Sequence, residues 1–473
     1  MKDLTQGSVV RTILAMAIPV AASMLFQTLY LLIDLYFVAT LGEDAVAGVG
    51  AASTLMFMIM AITQVLGVSS VALISQAVGR KDKTYANLVF NQSMVLSTFC
   101  AVATMAFGYS AGHSFMAGIT ADTGAQAQGV TFLFWFLPGM AMQFPIIAMA
   151  SSLRATGIVK PAMLVQIITV ILNIILAPTL ITGLGPFPAL GVMGAALATT
   201  ISSCFGACLL VIYFIKLEKY VAFVRQQWSP DFKLWLKMLN IGLPAGGEML
   251  LLFVYFFVVY WLIQDFGATA QAGFSIGGRV MQSIFMPTMA IAFAIGPIVG
   301  QNFGAGQIAR VRETFYKGMM LSAAVMLTVT VIMQWRAELV VGVFTDDADI
   351  VRVAAVFLQI VSWNFITQGI VFTASGVFQG LGNTRPALFS SCLRIAVFIP
   401  LCVYFNSRDD FAIEHVWYAS VASVVIQACF SIYLVRREFK LRLAQPPVNS
   451  EVAPPEPSSA IETAVDAPQA SRT

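Results

Sequence analysis

Four ionisable residues of this chain lie inside long apolar stretches: Asp34, Glu248, Arg279 and Arg394. A charge held in hydrocarbon costs about 2.5–3.5 kcal/mol even on the mildest insertion scales, so such a group ordinarily faces a protein interior or a wet cavity and serves a function. Asp34 is the first. Helical rise puts it about 22 Å beyond Pro19 and about 12 Å short of the turn at Gly42, well inside a bilayer. Asn173, about 18 Å from Pro161 on a later stretch, lies at a compatible depth, and its amide can bond a carboxylate. Desolvation and hydrogen bonding act in opposite senses on a carboxyl group, so such a pair can change charge in a usable pH range, as proton coupling requires. Asn173 as a plain polar link between two helices is the alternative. Glu248 lies about 16 Å from Lys237 and Arg279 about 18 Å inward from Gly267; adjacent helices either join them as an ion pair or leave Glu248 facing a cavity that attracts a cationic substrate. Arg394, about 12 Å from Pro386, is placed to snorkel to the near membrane surface.

The elements that must position these residues are membrane spans. The chain is 59% hydrophobic and 10% charged, with a mean hydropathy of +0.84; soluble domains carry about 25% charged residues. Apolar segments long enough to cross a bilayer recur near 13–41, 46–78, 87–111, 130–153, 161–184 and 191–216, then near 239–264, 272–301, 314–335, 353–379, 386–405 and 413–435. Of the 26 Lys and Arg residues, 21 fall in the N-terminal segment, the even-to-odd loops and the C-terminal segment, which places both termini in the cytoplasm. The net charge of +3 therefore reports topology, and no basic stripe points to a nucleic acid. The six cysteines lie in apolar runs without metal spacing and read as small core residues.

An offset of 225 positions pairs Pro19 with Pro244, Gly42 with Gly267, Gly48 with Gly273, Gln76 with Gln301, Gly79 with Gly304, Asp122 with Asp347, Gln143 with Gln368, and Pro161-Ala162 with Pro386-Ala387. A constant offset over that distance marks a duplication. The expected fold is an all-α membrane protein: twelve transmembrane helices in two six-helix lobes related by a pseudo-two-fold axis along the membrane normal, with sites near the midplane. The expected organisation is an N-terminal lobe over 1–216, a cytoplasmic linker over 217–237, a C-terminal lobe over 238–442 and a tail over 443–473 whose Pro, Ser, Ala and Glu content predicts disorder. At the four charged positions the repeat mates are Val259, Ser23, Thr54 and Thr169, so charge is where the halves differ.

Several chemistries are excluded. No phosphate-binding GxxxxGK[ST] loop occurs, and the two histidines, His113 and His415, fall in outer loops without an HExxH or cysteine cluster. No enzyme, metal centre or cofactor is implied. The 23 Met and 36 Phe residues suit a soft pocket for flat or cationic molecules, although most of them must face lipid or core.

The stretch from Pro19 to Gly50, with Asp34 followed by TLGEDAVAGVG, the run GRVMQSIFMP (278–287) leading to VGQNFGAG (299–306), and SGVFQGLGNTRPA (375–387) closely resemble the multidrug and toxic compound extrusion (MATE) family. The likeness spans the chain to about Arg442. It implies a monomeric, multi-pass inner-membrane antiporter that exports amphipathic, often cationic compounds against inward H+ or Na+ by alternating access. It also implies Pro19 as a hinge, Asp34 as the cation-coupling carboxylate, and Asn173 and Thr199 beside it. Gln143, Glu248, Arg279 and Gln368 are the substrate-binding candidates. Two departures bear on the coupling ion: Ala177 and Gln368 stand where members carry further acids. Losing a hard, charged oxygen ligand weakens a Na+ site more than a protonation site, which favours H+. A flippase for lipid-linked sugars or lipids, on a related fold, is the alternative, and it requires a cationic central cavity.

Overall fold

The computed structural model describes residues 2–183, 188–408 and 411–443; at positions 30–32, 34 and 35 it describes the backbone. The N-terminal lobe comprises α1 (Val9–Ala39), α2 (Glu43–Gly79), α3 (Lys83–Ile119), α4 (Thr123–Ala155), α5 (Lys160–Thr182) and α6 (Val192–Lys216). The C-terminal lobe comprises α7 (Phe232–Ile263), α8 (Ala268–Gly304), α9 (Ile308–Val341), α10 (Ala348–Val361), α11 (Trp363–Gly380), α12 (Arg385–Asn406) and α13 (Ile413–Arg442). No strand occurs among the described residues. Eleven of these helices are long and apolar enough to cross a membrane, and α10 with α11 makes the twelfth span, bent by 55°.

That break was not expected within 353–379. Its cause is polar support from α9: Thr330 Oγ1 donates to the Ser362 carbonyl at 2.9 Å, and Gln334 Nε2 reaches the Gln359 carbonyl at 2.7 Å and Ser362 Oγ at 2.8 Å. Backbone groups freed inside a membrane must find such partners. The duplication, by contrast, repeats down to the capping residues. Asp122 accepts from the amides of Gly124 and Ala125 at the start of α4, and its mate Asp347 accepts from Asp349 and Ile350 at the start of α10.

Three apolar cores form. One fills the N-terminal lobe and one the C-terminal lobe; the third joins the N-terminal residues Leu4 and Val9 to α8, α9, α11 and α13. Because Leu4 and Leu443 share that third core, both ends of the described chain lie on one face, called the terminal face below. The segment between the lobes is not loose. Along α3, Asn87 receives the Ala222 amide at 2.7 Å, Asn91 the Val224 amide at 3.0 Å, and Gln92 the Asp231 amide at 3.0 Å. Residues 232–237, read as linker, already belong to α7. Among the cysteines, Cys402 is buried while Cys208, Cys392 and Cys429 are exposed, which corrects their reading as core residues. A small apolar side chain gains little by leaving a surface that itself faces lipid. The expected tail lies outside the described residues from 444 onward.

Candidate functional site

In the N-terminal lobe, α5 and α6 pack closely because glycines on α6 admit the neighbouring helix: Gly194 faces the backbone of Leu180, and Gly206 faces Thr169. That approach brings two of the expected residues together. Asn173 is 3% exposed and its Nδ2 donates to Thr199 Oγ1 at 3.3 Å, while the Thr199 hydroxyl donates to the Ala195 carbonyl. Asn173 Oδ1 and Ser202 Oγ, one turn beyond Thr199, are buried and meet no hydrogen-bond partner among the described residues. Both oxygens can accept a hydrogen bond. α1 packs against both α5 and α8, running without interruption through Pro19. Asp34 lies on this helix, and its side chain lies outside the described residues.

The C-terminal lobe holds a different polar set. Ser375 Oγ on α11 donates to Glu248 Oε2 at 3.0 Å, and Gln379 Nε2 donates to Ser375 Oγ at 3.4 Å. The Glu248–Arg279 pair that the sequence allowed is absent among the described ion pairs: Arg279 is exposed, and Glu248 is engaged by α11 instead. Arg394 does not snorkel either. Its guanidinium stacks 4.0 Å from the centre of the Tyr255 ring, and the Tyr255 hydroxyl pairs with Ser420 Oγ at 2.7 Å. The ring gives the cation a partner that hydrocarbon would not. Gln143 on α4 is half-buried and Gln368 on α11 is buried; neither belongs to the Asn173 cluster or the Glu248 cluster as the hydrogen bonds define them.

Where the lobes meet on the terminal face, mates contact one another reciprocally. Gln76 Nε2 donates to the Gly380 carbonyl at 2.9 Å, and its mate Gln301 donates to the carbonyl of Ala155, the mate of Gly380, at 2.8 Å. A Cβ on Gly79 would strike the Gln301 carbonyl, and one on Gly304 would strike the Gln76 carbonyl. Ser75 and Gly300 touch one turn above, then Val71 and Gly296. The pseudo-two-fold axis runs through this seal, which is about 12 Å thick from Val71 to Gly79. The N-terminal segment straps it: the Leu4 amide donates to Gln301 Oε1, Asn302 Nδ2 to the Leu4 carbonyl, Lys2 N to the Thr156 carbonyl and Arg310 Nη1 to the Gly7 carbonyl. Toward the opposite face, the outermost ring contact between the lobes among the described residues is Phe57 with Phe253, about 21 Å along α2 from its start at Glu43.

Two bundles that share one axis and seal against each other on one face are the architecture of a transporter whose lobes rock about a common site. The MatE family model matches residues 19–179 and again residues 244–404, two copies at the same offset of 225. The chain belongs to the MatE family. It is thus a membrane transporter and not an enzyme. Among similar MatE proteins are the multidrug export protein MepA of Staphylococcus aureus (strain MSSA476), 26% identical over 91% of this chain and 95% of that one, and the probable multidrug resistance protein YoeA of Bacillus subtilis (strain 168), 24% identical over 89% and 92%. A solved outward-facing conformation of a multidrug resistance MATE family transporter of the MOP superfamily superposes with a TM-score of 0.87 at 23% identity, covering 93% of this chain and 98% of that one, and establishes the fold.

Arg154 also departs from its expected place in this MatE protein. Arg154, counted with the basic loop residues, turns inward: its Nη2 donates to Ser151 Oγ at 2.8 Å and its guanidinium lies 5.3 Å from the centre of the Phe293 ring on α8 of the other lobe. The signal was available in its repeat mate, Gln379, a polar residue at the same place in the second lobe.

Proposed function

We propose that this MatE transporter exports small amphipathic, often cationic compounds across the cell's inner membrane in exchange for inward H+, by alternating access between its two lobes. The observation that carries the reading is the reciprocal seal on the terminal face, beneath two lobes whose interiors carry unlike polar sets. With the basic loops and both termini in the cytoplasm, the sealed side is cytoplasmic and the described state opens outward. A proton arriving from outside neutralises Asp34, and Asn173 Oδ1, buried and open as a hydrogen-bond acceptor in the same lobe, supports the protonated form. Bending of α1 at Pro19, where a ring replaces one helical hydrogen bond, then changes how α1 lies against α5 and α8. The proton drives the cycle because it binds the two lobe arrangements unequally. MepA and YoeA, by their names, export or resist many drugs, which supports drug-like substrates here. Glu248, half-buried and bonded through one oxygen to Ser375, is the acid that receives a cationic substrate.

The test is accumulation of a fluorescent organic cation in membrane vesicles with H+ and Na+ gradients imposed separately. Accumulation driven by the H+ gradient alone is expected. Accumulation that follows only the Na+ gradient, or neither, contradicts the reading.

A further inference from the structure

At the base of the cleft between the lobes, directly above the seal, lies a cavity of about 10 Å3 lined by Arg154, Gln379, Gln64, Val68 and Phe293. It sits on the pseudo-two-fold axis, because Arg154 is the mate of Gln379 and Val68 is the mate of Phe293. Charge differs across that axis: one side presents the Arg154 guanidinium and the other the neutral Gln379 amide. No carboxylate pairs with Arg154 among the described ion pairs. Its contacts are the Ser151 hydroxyl and the face of Phe293, and its buried Nε has no acceptor among the described residues. A cation kept without a counter-charge at this depth is costly unless something supplies the negative charge, so it marks a ligand position.

We infer that Arg154 forms the floor of the substrate cleft and seats one carboxylate of an amphipathic aromatic substrate. A planar guanidinium fork matches a planar carboxylate with two parallel hydrogen bonds. The Gln64 and Gln379 amides supply further donors around the same space. Phe293 and Val68 give the cavity an apolar wall against which an aromatic body can pack. Gln379 also touches Ser375, which bonds Glu248, so an occupied seat is linked by two hydrogen bonds to the acid of the C-terminal lobe. Since Ala155, the next residue, accepts the seal bond from Gln301, a ligand on Arg154 rests on the gate itself.

This seat rests on the proposed export through the interlobe cleft, and its test is kept separate from transport. Purified full-length protein in detergent at pH 7.5 is titrated with 1-pyrenebutyrate and with its methyl ester, reading pyrene fluorescence. The acid should bind the wild-type protein about tenfold or more tightly than the ester, the scale expected of a desolvated charge-assisted hydrogen bond. Arg154→Gln should reduce that preference to about twofold or less, and Arg154→Lys, which keeps the charge and loses the fork, should fall between. The wild-type comparison stands even if a variant does not fold. Equal binding of acid and ester, an acid preference indifferent to Arg154, or displacement of the probe by phosphatidylglycerol but not by excess 1-naphthoate overturns the inference. Failure of gradient-driven cation accumulation would strike the export reading and leave this binding result standing.

Discussion

The seal and the lobe interiors were built from the same duplicated sequence and have gone opposite ways. At the seal, Gln76 and Gln301 make the same bond to mated carbonyls, and Gly79 and Gly304 meet the same backbone. Inside the lobes, Asn173 corresponds to Phe398, Thr199 to Val424, Glu248 to Ser23 and Arg394 to Thr169. A gate on the symmetry axis must fit itself, so a change on one side needs a complementary mate, as where Ser75 packs on Gly300. A polar site within one lobe has no such constraint, and charge can collect on one side.

The comparison breaks most severely if the seal is forced apart. Gly79→Val and Gly304→Val should each lower export by at least about tenfold and by similar amounts, since overpacking a closed contact costs about 1–3 kcal/mol; fluorescent-cation efflux from cells with matched expression checks this. A loss confined to one of them would end the claim of reciprocity. Next come the glutamines. Gln76→Leu removes one interlobe hydrogen bond, about 1 kcal/mol, whereas Gln301→Leu removes that bond and the one from Leu4, so it should weaken closure about twice as much in free energy. Hydrogen exchange at the ends of α2 and α8 reads the difference.

How much of this was legible in the sequence follows from what each feature depends on. The duplication was readable because an unchanged offset is carried by residues such as Asp122 and Asp347, whose capping role is local. Depth paired Asn173 with Asp34 and the family resemblance added Thr199; the bond that joins Asn173 to Thr199 is seen only in the structure. Depth alone could not choose between the two readings of Glu248 and Arg279, because height along a helix says nothing of rotation about its axis. Arg154 was misplaced for a related reason: helical side chains tilt toward the N-terminus, so an arginine beside the last residue of α4 reaches back into the bundle. The break at Ser362 has no proline or glycine at it and is held from α9 by Thr330 and Gln334, partners about thirty positions away.

Smaller effects sharpen the asymmetry. Arg394→Lys keeps a charge in the C-terminal lobe but loses the guanidinium stack on Tyr255, an expected loss of about 1 kcal/mol in thermal stability with little change in export. The strap should respond to acid. Asp3 is held below its ordinary carboxyl range chiefly by the Thr5 hydroxyl and then by the Thr5 amide, so its contribution is present above that range and is lost as pH falls through its lowered value. The protection factors of amides 2–8, corrected for the intrinsic pH dependence of exchange, should fall only at the acid end, and protection that is constant across pH would remove Asp3 from the strap.

The central claim is that one charge in the N-terminal lobe drives a gate that both lobes share. It is tested most directly by reconstituting the wild-type protein and Asp34→Asn in proteoliposomes and imposing a pH gradient. The account predicts that Asp34→Asn still binds the organic cation and no longer moves it against its gradient. Undiminished gradient-driven movement in Asp34→Asn would contradict it.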